Sequence, residues 1–377
     1  MTIDQQALEI HKQHKGKITI ALKDTPDTRE KLSLYYSPGV AAVSKQTQNH
    51  PNQLRDYTWT NNLVAVISDG SAVLGLGNIG PEGALPVMEG KAMLFKHLAD
   101  VDAVPIVLNV HTADEIVNAV EAIAPSFGGI NLEDIAAPLC FEVEERLKKS
   151  LSIPVMHDDQ HGTAIVTLAG LINAAKVTGR DLSVSKIVVV GAGAAGTAII
   201  KLLHAHCQPE ILAVDSKGII SSGRTDLNQP KKDLLAYTNP GNTSGSLEVA
   251  LKEADIFIGV SQPDLLTPGM IASMHKDPIV FALANPNPEI QPAIAKEAGV
   301  AVLATGRSDF PNQVNNAVAF PGIFRGALDN RVSKITEEHK MAAAKVIAGL
   351  IEQPTAEDII PSVFDNRLVP AIAQVIR

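Results

Sequence analysis

Cysteine is almost missing from this 377-residue chain, with Cys140 and Cys207 the whole supply. Two distant thiols in no metal-ligand spacing exclude a disulfide framework and are expected as reduced groups in a cytoplasmic protein. An excess of basic residues is also lacking. Lysine and arginine number 32 against 41 aspartates and glutamates, a net charge of −9. Such a balance repels a phosphate backbone, so nucleic acid is not an expected partner. Long apolar runs are absent as well. The least polar stretches, such as residues 187–200, fall short of the ~20 residues of a bilayer span, and residues 1–17 have no apolar core of the signal-peptide kind. Neither a membrane nor export is indicated. Tyrosine is scarce too, yet two of the four stand side by side, Tyr35 and Tyr36.

What remains is ordinary globular material, 45% hydrophobic and 19% charged, long enough for two or three domains of about 150 residues. From residue 60 onward one grammar repeats: a short run rich in valine and isoleucine, a polar residue, then a helix-like segment. Parallel α/β sheets read this way. Strands are predicted at 63–67, 104–108, 129–132 and 153–156, then at 186–190, 211–214, 256–260, 279–283 and 300–303. In the first set the runs stop at Ser68-Asp69-Gly70, Asn109, Glu133-Asp134 and His157-Asp158-Asp159. Parallel strands bring their carboxyl ends to one rim, where open α/β sheets bind ligands. Residues 162–178 read as a helix closed by the turn Thr178-Gly179-Arg180-Asp181, and the domain boundary falls at that turn or just before the helix, the latter giving residues 1–160 and 161–377. Residues 221–246 read as a loop excursion, and 336–351 as an amphipathic helix.

Four features bear on chemistry. Gly191-Ala-Gly193-Ala-Ala-Gly196 lies between a strand and an apolar helical run, the setting in which exposed amides meet a pyrophosphate. Asp215, 24 residues after Gly191 at the end of the next strand, suits the hydroxyls of an adenosine ribose and favours NAD over NADP. Lys217, two residues on, softens that preference and keeps NADP as a second candidate. The acidic pairs Glu133-Asp134 and Asp158-Asp159 stand at neighbouring strand ends. Spacing leaves two readings open: a magnesium or manganese site, whose hard ion takes carboxylate oxygens, or solvated turns and helix caps. His157 and His161 flank the second pair and leave two readings open, a histidine set of the kind that binds zinc or structural histidines making loop hydrogen bonds. Lys91 lies in an otherwise apolar helix, either snorkelling to solvent or held in a site as a base. Tyr36 is a packed ring or a proton donor.

Taken together these motifs resemble the malic enzyme family, in its short bacterial branch, over residues 16–350. The matching pieces run in order: Tyr36 to Val40, Val73 to Gly80 with Gly90-Lys91, Asn131 to Asp134, His157 to Ala164, the glycine turn, Ala284-Asn285-Pro286, and Asn315-Asn316 through Phe320-Pro321-Gly322. The resemblance implies an N-terminal α/β malic-type domain with a parallel sheet and a C-terminal Rossmann-like dinucleotide-binding domain. It also implies oxidative decarboxylation of (S)-malate to pyruvate and CO2 with reduction of NAD, assisted by Mg2+ or Mn2+. Residue by residue it makes Tyr36 and Lys91 the acid–base pair, and Glu133, Asp134 and Asp159 the metal ligands. Asp158, Asn285 and Asn315 fall beside substrate. Gly191, Gly193, Ala194, Gly196, Asp215, Ser261 and Asn285 fall beside the cofactor.

A homodimer or higher homo-oligomer is implied as well. One departure stands out: Ala72 occupies the place where larger members carry an arginine for a malate carboxylate, leaving Ser71, backbone amides or the asparagines to hold it. Two alternatives remain. One is a malolactic-type enzyme that keeps NAD and releases lactate, against which the shortness of this chain speaks. The other is an NAD-sensing protein without turnover.

Overall fold

The computed structural model describes residues 2–73 and 75–377. The first sheet has four parallel strands, β1 (Leu63–Ser68), β2 (Asp102–Val107), β3 (Gly129–Leu132) and β4 (Val155–His157), in the order β2-β1-β3-β4. The second has six, β5 (Lys186–Val190), β6 (Glu210–Asp215), β7 (Gly218–Ile219), β8 (Ile256–Gly259), β9 (Ile279–Ala282) and β10 (Val302–Thr305), in the order β10-β9-β8-β5-β6-β7. All its pairings are parallel except β6 with β7. This is the α/β architecture expected, and the predicted strands differ from the observed ones only by a residue or two at their ends. The exception is β7, two residues of a tight reversal too short to carry a pattern.

Burial on both faces explains why these strands read as continuous apolar runs. Leu63, Ala65 and Ile67 point to one core with the helices Ala113–Ile123 and Leu139–Ser150. Val64 and Val66 point the other way, onto the helix Gly80–Ala99 and into a core continuous with one face of the second sheet. The opposite face of that sheet has its own core around Val188, Leu212, Phe257 and Val280.

The helix read as residues 162–178 is longer, Asp158–Thr178, ending at Gly179 in the left-handed conformation. It starts directly after β4, so Asp158 and Asp159 form its first turn, where carboxylates favour the positive end of the helix. The division at 160 and 161 therefore falls inside a continuous helix rather than in a linker. The helix Glu337–Gly349 matches the amphipathic stretch, with Thr336 as its cap. The N-terminal helices Ile3–His14, Arg29–Tyr35 and Val40–Asn49 are different, since none of them contributes a buried residue. Among the described residues no helix is long and apolar enough to cross a membrane. Both cysteines are free, Cys140 buried and Cys207 half-buried.

Candidate active site

Pairing register sets the site. Ile67 stands beside Leu132, and Leu132 beside His157, so β1, β3 and β4 end level. Glu133-Asp134 and Asp158-Asp159 thus leave adjacent strands at one rim. Lys91 reaches them from the buried face of Gly80–Ala99. Its Nζ lies 2.6 Å from Asp158 Oδ2 and 2.8 Å from Glu133 Oε1, and 4.3 Å from the centroid of the Phe320 ring, a cation–π contact. Lysine does not snorkel here. It is buried, as are Glu133, Asp134 and Asp158.

Neighbouring groups fix each carboxylate. Glu133 Oε2 accepts from Asn131 Nδ2 at 2.9 Å. Asp159 Oδ2 accepts the Asp134 backbone N–H at 2.7 Å, which holds Asp134 in the left-handed region, φ 53°, rarely taken by residues other than glycine. Asp158 requires Gly162, where a Cβ would lie 2.0 Å from Asp158 Oδ1. His157 is fully buried with neither ring nitrogen hydrogen bonded. His161 bonds Glu144 at 2.9 Å.

The electrostatics follow from one ammonium among four carboxylates. Burial works to lower the Lys91 pKa, but attraction to Asp158, Glu133 and Asp159 outweighs it, so the amine is held protonated. Burial raises Glu133 well above the usual carboxylate range, and repulsion from Asp159, Asp158 and Asp134 adds to what Lys91 offsets. Burial raises Asp158 as well. Such a site demands positive charge, and an all-oxygen donor set suits a hard divalent ion. The expected ligands Glu133, Asp134 and Asp159 are neighbours, but Glu133 and Asp159 turn oxygens to protein partners. Among the described residues no group of three or more His, Cys, Asp or Glu side chains is set at metal-holding geometry. The donor chemistry fits such an ion, while the cage is not pre-closed.

Asp134 and Asp159 open onto a cavity of about 460 Å³ that is also lined by Ala72, Ala194, Ser261, Asn285 and Asn315. Asn315 caps the turn after it, its Oδ1 accepting from Ala317 N–H at 2.8 Å. Ser71 is committed to the loop, its hydroxyl donating to Asp69 Oδ1 at 2.6 Å and accepting from Ala136 N–H. It is therefore not a free donor for a substrate carboxylate opposite Ala72, which leaves the asparagines and backbone amides. Tyr36 does not line this cavity, and in the single chain it is 70% exposed.

Gly193 and Ser261 also line a larger cavity of about 760 Å³ along the ends of β5 and β6. The glycines of the turn have distinct reasons. A Cβ on Gly196 would sit 1.7 Å from Gly191 O, and one on Gly191, φ 108°, 2.6 Å from Val260 O. A Cβ on Gly193 would meet nothing within 4 Å, so this residue faces open space at the start of the helix Ala194–Cys207, where a pyrophosphate finds N–H groups.

Asp215 lines the same cavity but is already engaged. Arg224 grips it at 2.7 and 3.1 Å, and Lys231 reaches it at 2.6 Å. Burial works against its charge, yet these bonds hold its pKa below the usual range. Sequence reasoning missed both cations, which lie in the loop excursion; the signal was their positive charge beside a cofactor loop. It also missed Glu289, a fully buried carboxylate after the Asn285-Pro286 turn.

The family described as malic enzyme, N-terminal domain, matches residues 12–115 and 110–148, and that described as malic enzyme, NAD binding domain, matches 160–375. The chain belongs to the malic enzyme family. Among its relatives are the bifunctional malic/malolactic enzyme of Bacillus subtilis, 55% identical over all of this chain and 92% of that protein, and the NAD-dependent malic enzyme of Geobacillus stearothermophilus, 52% identical over 96% and 76%. The crystal structure of the NAD-dependent malic enzyme of Thermotoga maritima superposes with a TM-score of 0.95 at 50% identity, covering 98% of each chain. Because this family member spans nearly all of the bifunctional relative, its length does not speak against malolactic chemistry.

Proposed function

We propose that this protein oxidatively decarboxylates (S)-malate to pyruvate and CO2 while reducing NAD. The observation that carries this reading is the buried Lys91–Glu133–Asp158 cluster. It stands at the level ends of three strands, with Asp134 and Asp159 opening onto the cavity shared with Asn285 and the glycine turn. A divalent ion, Mg2+ or Mn2+, held by Glu133, Asp134 and Asp159 would polarise the C2 oxygen of malate and take up the carboxylate charge that otherwise keeps Lys91 protonated. The glycine turn would hold NAD, which would supply the hydride acceptor. Lys91 Nζ takes the proton of the C2 hydroxyl, and the Tyr36 phenol delivers one to C3 after CO2 leaves. These two transfers would leave Lys91 as ammonium and Tyr36 as phenolate, so a proton passing from Lys91 back to Tyr36 would return the pair to its starting state. Asp158 keeps the amine aimed, while Asn285 and Asn315 orient substrate and nicotinamide.

Tyr36 is assigned to a partner copy in a homodimer. Its exposure, and the lack of buried residues in all three N-terminal helices, leave a surface carrying Leu32, Leu34, Tyr35 and Trp59 at 50% exposure or more. A second copy covering that surface completes a site that one chain leaves without its phenol.

NAD is the favoured acceptor, but Arg224 and Lys231 cancel the charge with which Asp215 would repel a 2′-phosphate, so NADP is accepted more weakly rather than excluded. Relatives named as NADP-dependent, such as that of Rhizobium meliloti at 48% identity, are consistent with so small a barrier. Asp215→Asn frees both cations and is expected to lower the NAD-over-NADP ratio of kcat/KM about tenfold, roughly one charged hydrogen bond. An unchanged ratio places ribose recognition elsewhere.

The bifunctional relative favours one second reading, release of lactate with NAD retained. Incubation with malate, NAD and Mn2+ separates the two. Equal amounts of NADH and pyruvate support oxidative decarboxylation, while lactate without net NADH supports the malolactic reaction.

A further inference from the structure

Glu289 has no exposed surface, follows the Asn285-Pro286 turn, and is not used by the proton chemistry above. Among the described residues it forms no ion pair. Its two oxygens face two backbone amides instead: Oε1 accepts from Ser261 N–H at 3.1 Å and Oε2 from Ala284 N–H at 3.0 Å. Ser261 belongs to the loop after β8 and Ala284 to the loop after β9. Room for the carboxylate is made by Gly259 at the end of β8, where a Cβ would lie 2.3 Å from Glu289 Cδ. A buried carboxylate without a cation is costly, and burial raises its pKa despite those amides.

We infer that Glu289 is a positioning residue for the nicotinamide end of the cleft, one carboxylate that clamps the loops after β8 and β9 and so fixes the spacing of Ser261 and Asn285. The inference rests on the dinucleotide reading of the cleft. Only a carboxylate with this reach serves. Glutamine has one acceptor oxygen and would point N–H2 at a backbone N–H, and aspartate is one methylene short. The clamp reaches beyond its own loops. The Val260 carbonyl beside Ser261 packs on Gly191 of the glycine turn, and Gly75 of the N-terminal half, φ 74°, lies where a Cβ would be 2.3 Å from Asn285 O. A slackened clamp therefore loosens both the pyrophosphate turn and the contact that closes the cleft.

The test compares wild-type and Glu289→Gln full-length protein by calorimetric titration with NADH and, separately, with Mn2+. The clamp predicts about tenfold weaker NADH binding, the cost of one unsatisfied buried donor pair, with Mn2+ affinity unchanged within about twofold. Unchanged NADH affinity overturns the inference. Equal losses for both ligands overturn it too, since they report general loosening. Because the readout is binding, it stands whether or not malate proves to be the substrate, whose turnover is tested separately. Should the variant fail to fold, amide exchange in the wild-type protein decides: the Ser261 and Ala284 amides are expected to exchange slowly without cofactor. Exchange at the rate of an open loop contradicts the clamp.

Discussion

Lys91→Met is expected to lose turnover by at least about 100-fold, the range for removing a positioned acid–base group, and to lose stability in the same step. Lys91 is the single ammonium between Glu133 and Asp158, both buried. Removing one partner of a buried ion pair costs roughly 3–5 kcal/mol, because the remaining charge is stranded. The two losses differ in their response to metal. Mn2+ supplies the missing positive charge, so it should raise the unfolding temperature of the variant more than that of the wild type in parallel scans against EDTA. It should not restore turnover. Full activity would end the acid–base role, and an unchanged unfolding temperature in EDTA would mean that the ammonium does not neutralise the cluster.

Mixing two inactive variants should restore activity. Tyr36→Phe and Lys91→Met each disable a site. In a hybrid dimer whose sites take Tyr36 from one copy and Lys91 from the other, one site receives both wild-type groups and its twin receives neither. Random reassembly of equal amounts then yields about a quarter of wild-type activity, given a two-fold symmetric interface. Were both groups drawn from one chain, every hybrid site would carry a defect and the mixture would stay inactive. The exposure of Tyr36, against the burial of Lys91, is the reason to expect the first result.

Much of this site was legible because parallel strands announce themselves twice, once as apolar runs and again as the polar residues that stop them. Glu133, Asp134, Asp158 and Asp159 fall at strand ends, and the shared rim follows from topology alone. The glycine turn was legible because backbone approach tolerates no Cβ at Gly191 and Gly196. Less legible was anything set by tertiary pairing. The positive charge of Arg224 and Lys231 in the loop excursion is a signal, but it does not tell that both return to grip Asp215. Ser71 reads from sequence as available for a substrate carboxylate, but Asp69 and Ala136 claim its hydroxyl. The start of the helix at Asp158 was hidden by its charged first turn, which lacks the apolar spacing by which helices are read. Glu289 shows the same limit, since its partners Ser261 and Ala284 lie on two loops that only the sheet brings together.

This carboxylate cluster, loaded with a hard divalent ion, is expected to drive hydride loss and decarboxylation of malate beside the glycine turn. The direct measurement is pyruvate and NADH formed from (S)-malate and NAD in Mn2+ and after exhaustive EDTA treatment, with Asp159→Asn run alongside. Equal yields of both products in Mn2+, abolished by EDTA and by the substitution, are the predicted result. Undiminished product formation in EDTA, or in Asp159→Asn, would contradict it.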